Sequence, residues 1–153
     1  MIVIAPQQTI QDDDISNDAF FPVVNLQTLR LENRIDSTIN VERLRAAVIE
    51  AMANVNQQLA KLKVSALEAG SSTLNAIQAD KINNKSVLEH RYLRAVGCLT
   101  KANLIERYRD FDSTTQGNRN ADELLPNIDE LRRDAYWAIG DMLGAPRSTI
   151  ELI

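Results

Sequence analysis

The feature that most constrains the fold is a long run of apolar residues at helical spacing. Between Val41 and Ala66, apolar residues follow one another at steps of three and four positions. That period puts them on one face of an α-helix, whereas a half-buried strand alternates every second residue. They are Val41, Leu44, Val48, Ala51, Val55, Leu59, Leu62 and Ala66. The sequence therefore predicts one long helix that starts at Val41, ends at Gly70 and packs one face against a core.

Capping residues predict helices on both sides of this long helix. Asn25 can cap a first helix over Leu26–Ile35, because its side-chain oxygen can accept from an amide of the first turn. Ser86–Glu89 is a capping box, in which the serine and glutamate side chains bind free amides at a helix start. The third helix that begins there is expected to continue to Phe111. Residues 70–85 show no clear apolar period and are interpreted as a loop.

The fourth helix has two alternative starts because a proline lies in its first turns. Pro126 removes a backbone donor and disfavours helical geometry at the preceding residue. The helix therefore either kinks at Pro126 or begins near Asn127, which can act as a cap. Gly144 followed by Pro146 is a typical helix stop, so the fourth helix is expected to end there.

The predicted fold is an all-α bundle of about four helices, in which the second and third helices are long. Five glycines and four prolines among 153 residues are too few for the many tight turns of a β-sandwich or barrel. Residues 1–19 are expected to form a mobile acidic N-terminal arm. Residues 20–144 are expected to form one helical domain, and residues 145–153 an extended C-terminal tail.

The charge distribution argues against nonspecific nucleic-acid binding as the main activity. The formal net charge is −4. The first twenty residues contain no lysine or arginine but four aspartates, Asp12, Asp13, Asp14 and Asp18. A free-standing nucleic-acid-binding domain normally has a basic surface and a basic net charge.

Two further features bear on the compartment in which the protein works. Cys98 is the only cysteine, so an internal disulfide is excluded and a reducing compartment is expected. The sequence has neither a secretion signal nor an apolar run of 18 residues, so we expect no membrane association.

The sequence lacks the residue patterns of common catalytic and metal sites. His90 is the only histidine, which excludes multi-histidine zinc sites and the HExxH motif, and Cys98 alone cannot form a cysteine-rich site. There is no GxGxxG sequence, P-loop or nucleophile elbow. We therefore expect no catalytic residue, no metal and no cofactor. A small helical enzyme that uses His90 is the less favoured alternative.

Two predicted helices carry apolar residues outside their main core stripe. In the third helix, Leu93, Leu104 and Tyr108 form a second stripe roughly opposite the first. This stripe either places the helix in the middle of the bundle or contacts another subunit. In the fourth helix, Trp137 lies away from the core stripe among charged residues that include Arg133. Trp137 is therefore either an interface anchor or covered by helix 1 or the N-terminal arm.

Basic residues are concentrated on the third helix. Arg91, Arg94 and Lys101 lie there with Arg107 and Arg109, interspersed with acidic side chains. Ion pairs within and between helices explain such a cluster more simply than a DNA contact does. Composition and spacing alone therefore indicate a helical interaction domain and not an enzyme.

Several segments, in the same order, resemble the head completion proteins of P2-type tailed bacteriophages. The most characteristic is the run ANLIERYR at residues 102–109. The others are Phe20-Phe21-Pro22, Arg30–Glu32, Val41–Ala51, Ala121-Asp122, Ile128–Leu131, Arg133-Asp134, Trp137-Ala138, Pro146-Arg147 and Ile153. The resemblance covers about residues 20–153.

The resemblance implies a structural virion protein that acts late in head assembly. Such proteins are similar to helical connector adaptors, which bind the portal protein after DNA packaging, extend the DNA exit channel as a ring and prepare the head for its tail. By analogy, a ring that matches the twelve-fold symmetry of the portal is expected. The implied partners are the portal protein, further copies of this chain, tail or tail-terminator proteins and the packaged DNA. The implied location is the neck of the virion, after assembly in the host cytoplasm.

The resemblance also gives roles to residues already singled out. The C-terminal tail is expected to bind the portal through Arg147, Thr149, Ile150, Leu152 and Ile153. Contacts between subunits are expected at Leu93, Leu104, Tyr108, Arg133 and Trp137. Contacts with DNA in the channel are expected at Arg91, Arg94 and Lys101. The alternative function is that of a helical nucleic-acid-binding or regulatory interaction domain.

Overall fold

A computed structural model describes residues 13–111 and 128–147, and over these ranges the protein is a mainly α-helical bundle. The helices are α1 (Leu26–Glu32), α2 (Val41–Gln58), α3 (Ala60–Glu68), α4 (Val87–Phe111) and α5 (Ile128–Leu143), with a 3-10 turn at Leu74–Ala76. Two antiparallel hairpins accompany them, β1 (Asp14–Ile15) with β2 (Val24–Asn25) and β3 (Lys81–Ile82) with β4 (Lys85–Ser86). The predicted all-α fold class is confirmed.

Helix α4 lies at the centre of the bundle. It contacts α1, α2 and α5, and it runs antiparallel to α5, since Arg94 pairs with Asp134 and Glu106 with Arg132. Its buried residues are Tyr92, Ala95, Val96, Gly97, Cys98, Leu99, Thr100, Ala102 and Leu104. The third predicted helix is therefore the middle of the bundle, as one of its two interpretations required. Pro126 and Asn127, on which the start of the fourth helix depends, lie outside the described residues.

The capping box at the start of α4 is only half formed. Ser86 Oγ accepts from the Leu88 amide at 3.2 Å, as a cap should. The Ser86 amide donates to Asn75 Oδ1 at 3.3 Å, a bond that the capping box assigns to Glu89. The prediction was right about where the helix starts and wrong about one of the two side chains that cap it.

The long helix predicted from Val41 to Gly70 is two helices, because the backbone leaves helical geometry at Leu59 (φ −95°, ψ 10°). Main-chain bonds continue through the break, from Leu59 N–H to Val55 O and from Lys63 N–H to Leu59 O, both at 3.0 Å. The Leu59 side chain is fully buried, so the apolar stripe is continuous as predicted. This stretch contains no proline or glycine, so no local signal marks the break.

Gly70 and Gly144 follow the last helical turns of α3 and α5, as predicted, in the left-handed conformation with φ of 92° and 73°. After α5, the Gly144 amide donates to Asp141 O at 3.3 Å and the Ala145 amide donates to Gly140 O at 2.8 Å. These two bonds form the Schellman motif. The motif fixes the direction in which the chain leaves α5.

Helix α1 ends at Glu32, three residues before the predicted end at Ile35. Asn33 stops it, and the Asn33 side-chain Nδ2 donates back to Leu29 O at 2.9 Å. The same amide lies directly over Gly97 of α4, where an added Cβ would come within 2.6 Å of Asn33 Oδ1. The close packing of α1 on α4 therefore depends on the missing side chain at residue 97.

The segment predicted as a loop at residues 70–85 contains the β3–β4 hairpin. Its two turn residues, Asn83 and Asn84, both have positive φ, 52° and 61°, as a two-residue type I′ turn requires. His90 of α4 forms a hydrogen bond through Nε2 to Ile82 O at 2.7 Å. The histidine thus ties the hairpin to the central helix.

The described part of the predicted N-terminal arm, residues 1–19, is attached to the helical domain. β1 pairs with β2, and Asn25 Nδ2 donates to Asp14 Oδ1 at 2.7 Å. Lys63 Nζ donates to Asp18 Oδ2 at 2.7 Å, and this bond lowers the pKa of the Asp18 carboxyl. These contacts do not match a boundary at residue 19, and the division into arm, domain and tail stays a prediction.

A closed ring of three hydrogen bonds joins this N-terminal segment to α2 and α4. Tyr92 OH donates to Asn56 Oδ1 at 2.6 Å, Asn56 Nδ2 donates to Asn17 Oδ1 at 2.9 Å, and Asn17 Nδ2 donates to Tyr92 OH at 2.8 Å. Phe20 and Phe21 are buried beside it, and Phe21 stacks on Tyr92 with ring centroids 5.2 Å apart. Both phenylalanines therefore anchor the segment to the bundle. Burial raises the pKa of Tyr92 to about 12, so its hydroxyl stays protonated and able to donate.

Candidate partner-binding surfaces

Trp137, the only tryptophan, lies half-buried on α5 beneath two arginine side chains. The guanidinium carbon of Arg133 lies 4.5 Å from the indole centroid, and that of Arg147, beyond the helix end, lies 5.0 Å from it. Both distances allow cation–π attraction. The indole Nε1–H is buried and meets no acceptor among the residues that the structure describes. The two arginines therefore contact the face of the indole ring, while its N–H group makes no hydrogen bond within the described residues.

Asp141 ties Arg147 to the same helix. Arg147 Nε donates to Asp141 Oδ1 at 3.2 Å and Arg147 Nη2 donates to Oδ2 at 2.5 Å, a two-point contact typical of arginine and carboxylate. The hydrogen bond from Arg147 holds the pKa of Asp141 below its usual value, and the same bond raises the pKa of Arg147. We call Arg133, Trp137, Asp141 and Arg147 the tryptophan clasp.

The clasp accounts for how Trp137 is covered within one chain. The sequence predicts either an interface anchor or a cover supplied by helix 1 or the N-terminal arm. In the structure the stacked cations come from α5 itself and from the segment that follows it. Part of the ring stays accessible, and the use of Trp137 and Arg133 between subunits stays a prediction.

The other residues predicted to contact a second subunit are dispersed. Leu104 is buried within the bundle and Leu93 is half-buried against its core. The side chain of Tyr108 lies outside the described residues, as do four of the five residues predicted to bind the portal, Thr149, Ile150, Leu152 and Ile153. The fifth, Arg147, belongs to the tryptophan clasp. The predicted interface residues therefore do not form one continuous patch within the described part of the chain.

A cleft of about 770 Å³ lies between α2, α4 and α5. Its walls include Arg43 and Glu50 of α2, Asn103 and Leu104 of α4, and Arg132 and Tyr136 of α5. Arg132 also forms an ion pair with Glu106 at the cleft. No single stretch of the sequence marks this surface because three helices far apart in the sequence form it. The one available signal was Tyr136, an exposed aromatic residue beside Trp137.

The three predicted DNA-contacting residues lie on the side of α4 that faces α5. Arg94 Nη2 is 3.8 Å from Asp134 Oδ2, so the simpler interpretation, an ion pair between helices, holds for this residue. The charge of Arg91 contributes to lowering the pKa of Asp141 on α5, and Lys101 lies near Cys98. We call this side the basic seam, and its cations are Arg91, Arg94 and Lys101. Asp134 and Asp141 of α5 are the carboxylates that interact with Arg94 and Arg91.

Residues 13–111 and 128–147 contain no group of three or more histidine, cysteine or acidic side chains placed to hold a metal ion. Cys98 is free and buried in α4, and burial raises the pKa of its thiol, which disfavours the reactive thiolate. Over the same residues, none of the helices is sufficiently long and apolar to cross a membrane.

The family and the relatives that this chain matches are all phage head completion proteins. The phage head completion protein (GPL) family matches residues 15–153. The head completion/stabilization protein of Escherichia phage P2 is 34% identical over 151 residues, which cover 99% of this chain and 89% of that protein. The probable head completion/stabilization protein of Haemophilus phage HP1 (strain HP1c1) is 25% identical over 146 residues, 95% of this chain and 96% of that protein. No solved structure matches this chain significantly.

Proposed function

This chain belongs to the family of phage head completion proteins, and on that premise we propose that it is a ring-shaped adaptor that binds the portal after DNA packaging. In this role it completes and stabilises the filled head and prepares it for tail attachment, as a structural component of the virion neck. The observation that carries the proposal is the end of α5, where a fixed helix stop precedes a segment rich in apolar residues.

The C-terminal tail is the part that we propose to dock on the portal. Ile150, Leu152 and Ile153 alternate with or adjoin polar residues, a pattern that suits an extended segment added to a strand edge or laid in an apolar groove. In that mode, backbone hydrogen bonds supply affinity and the apolar side chains set the register. The Schellman motif at Gly144 supports this role because it gives the tail a defined starting direction.

Copies of the chain are proposed to assemble into a ring around the DNA exit channel. A ring needs a head-to-tail interface, in which two different surfaces of each subunit meet. The cleft between α2, α4 and α5 and the half-buried Trp137 are two such surfaces on the described part of the molecule. Exposed Tyr136 adds apolar area at the cleft, which it lines. Twelve subunits would match the symmetry expected of the portal.

Within such a ring, the basic seam is proposed to face the packaged DNA. Phosphate contacts by arginine and lysine depend on charge and not on sequence, as a channel that conducts any genome sequence requires. Arg91, Arg94 and Lys101 supply these charges from the central helix. The remaining proposed partners are tail or tail-terminator proteins.

Sedimentation of the purified protein, alone and mixed with its cognate portal protein, tests the proposal. We expect joint sedimentation at a stoichiometry that matches the portal symmetry. A variant truncated after Gly144 should keep its helical circular-dichroism signal and lose portal binding. A full-length variant with Ile150→Asp and Leu152→Asp should lose binding too. Ile82→Asp, which changes an exposed apolar residue of the β3–β4 hairpin, is the matched control and should bind normally. Normal binding by the truncated variant would contradict the docking role of the tail.

A helical nucleic-acid-binding or regulatory domain is the second candidate function, and the basic seam is the observation that favours it. This alternative predicts that the isolated protein binds DNA with a steep salt dependence and does not sediment with the portal. Weak DNA binding together with portal binding fits the adaptor, since a ring around DNA also contacts phosphates.

A further inference from the structure

We infer that Arg147 is a positioning residue: it fixes the direction in which the C-terminal tail leaves α5 and does not itself bind the portal. The inference rests on the proposed docking of the tail. It reassigns a residue that the sequence analysis places among the portal contacts.

One donor edge and one face of the Arg147 guanidinium are used by contacts with α5. The edge formed by Nε and Nη2 donates to Asp141 at 3.2 and 2.5 Å. One face of the guanidinium lies against the indole of Trp137, 5.0 Å from the ring centroid. The indole makes a second cation–π contact with Arg133, whose guanidinium carbon lies 4.5 Å from the ring centroid. A partner carboxylate would find the Nε–Nη2 edge of Arg147 already taken by Asp141.

The contacts of Arg147 combine with the helix stop to restrain the chain at two successive points. At Gly144 the Schellman bonds turn the backbone off the helix axis. At Arg147 the two-point bond and the stacked ring then hold the side chain back against α5. An isolated exposed ion pair restrains a long side chain weakly, but here hydrogen bonds and stacking act on the same group. The residues after Arg147 therefore start from a fixed point on the surface.

A tail that starts from a fixed point loses less conformational freedom when it docks. Ordering one backbone residue that was previously free lowers affinity by about tenfold. Loss of the clasp should therefore weaken portal binding by about that factor, even though none of the portal contacts of the tail itself is removed.

The first experiment compares Arg147→Ala, Arg147→Lys and the control Lys61→Ala. Lys61 is exposed on α3, so its replacement makes the same change in charge away from the clasp. Because Trp137 is the only tryptophan, acrylamide quenching of its fluorescence reports the clasp directly. Both Arg147 variants should increase quenching and weaken portal binding by about tenfold, lysine included, because lysine has neither the two-donor edge nor the flat face. Lys61→Ala should change neither quantity.

A charge swap separates positioning from direct contact. In the double variant Asp141→Arg with Arg147→Asp, the pair reforms with reversed charges. The new arginine lies one turn after Trp137 on the same helix face, where it can still stack on the indole. We expect the swap to restore low quenching and most of the portal affinity, although residue 147 is now acidic. If Arg147 contacts the portal directly, the swap restores the quenching and leaves binding weak, which overturns the inference.

The two proposals fail in different ways. If the wild-type protein binds the portal and Arg147→Ala binds equally well, the positioning role is wrong and tail docking stands. If the wild-type protein binds the portal neither alone nor on DNA-filled heads, the proposed function fails, and the positioning role for docking fails with it. Unchanged quenching in Arg147→Ala would show that the clasp does not hold in solution and would also overturn the inference.

Discussion

At the scale of single residues, the packing of α1 on α4 depends on Gly97. An alanine Cβ at this position would overlap the Asn33 amide, which is itself held by its bond to Leu29 O. We expect Gly97→Ala to lower the free energy of unfolding by about 1–3 kcal/mol, although alanine has the higher helix propensity. Urea denaturation followed by circular dichroism measures the change.

The overlap between residues 97 and 33 can be tested by a double-mutant cycle. Asn33→Ala removes the group with which the new methyl collides, so Gly97→Ala should destabilise the Asn33→Ala background much less than the wild type. Equal effects in both backgrounds would show that the loss at Gly97 has a different cause.

Tyr92 should make stability depend on alkaline pH. Its pKa is about 12 in the folded protein against 10.0 for an exposed tyrosine, because burial disfavours the phenolate. Folding therefore favours the protonated phenol, and this contribution is complete below pH 10 and is lost as the pH rises through 12. At pH 8, Tyr92→Phe should be less stable by about 1–2 kcal/mol, since Asn17 and Asn56 lose their shared partner.

The measurement for Tyr92 is urea denaturation of both proteins at pH 8, 10 and 11.5. The difference in stability between wild type and Tyr92→Phe should shrink as the pH rises above 10. A difference that stays constant over this range would mean that Tyr92 is not protected from ionisation by the fold.

At the scale of elements, a glycine inside α5 and the glycine just after its end should respond in opposite ways to the same substitution. Gly144 has φ 73°, so Gly144→Ala should destabilise the protein by about 1 kcal/mol although its Cβ meets nothing within 4 Å. Gly140 lies inside the helix, and a Cβ there makes only an ordinary contact with Ala145 at 3.9 Å. Gly140→Ala should therefore stabilise by about 0.5–1 kcal/mol. Thermal unfolding of the two variants gives the signs, and equal signs contradict the assigned helix end.

The helices could be predicted because their signals are local. Asn25 caps α1 as expected, accepting from the Thr28 amide at 2.9 Å, and Asn40 caps α2 in the same way, accepting from the Arg43 amide at 2.9 Å. A cap, an apolar period and a glycine stop all lie within a few residues of the helix that they define. The break at Leu59 was missed because the apolar period runs through it unchanged.

The remaining features could not be read from the sequence because they join distant residues or occupy very few. The strands of both hairpins have two residues each, too short to show an alternating pattern. The hydrogen-bond ring brings Asn17 to Asn56 and Tyr92, which no sequence spacing indicates. Arg147 lies outside α5, so a helical projection of α5 cannot place it over Trp137. Three of the four clasp residues, Arg133, Trp137 and Arg147, were therefore singled out from the sequence, and their arrangement around the indole was not.

At the scale of the whole molecule, an acidic protein carries a basic seam. Arg91→Ala with Lys101→Ala should weaken binding to duplex DNA and reduce the slope of log affinity against log salt by about 2. The control Lys61→Ala with Lys81→Ala makes the same change in net charge at exposed residues of α3 and β3. Fluorescence anisotropy measures both slopes. The salt concentration is varied from about 50 to about 200 mM, roughly the range over which the affinity of phosphate-contacting proteins falls steeply. If the control lowers the slope equally, overall charge and not the seam governs DNA binding.

The position of Cys98 makes its rate of chemical modification a measure of how often α4 and α5 separate. The thiol is the only one in the protein, is buried in α4 beside α5, and has a pKa raised by burial. A thiol reagent can modify it only when the two helices part, so the rate of modification counts those openings under native conditions. The free protein, a ring and the complex with the portal can then be ranked by how often the same two helices separate in each, without any residue being changed.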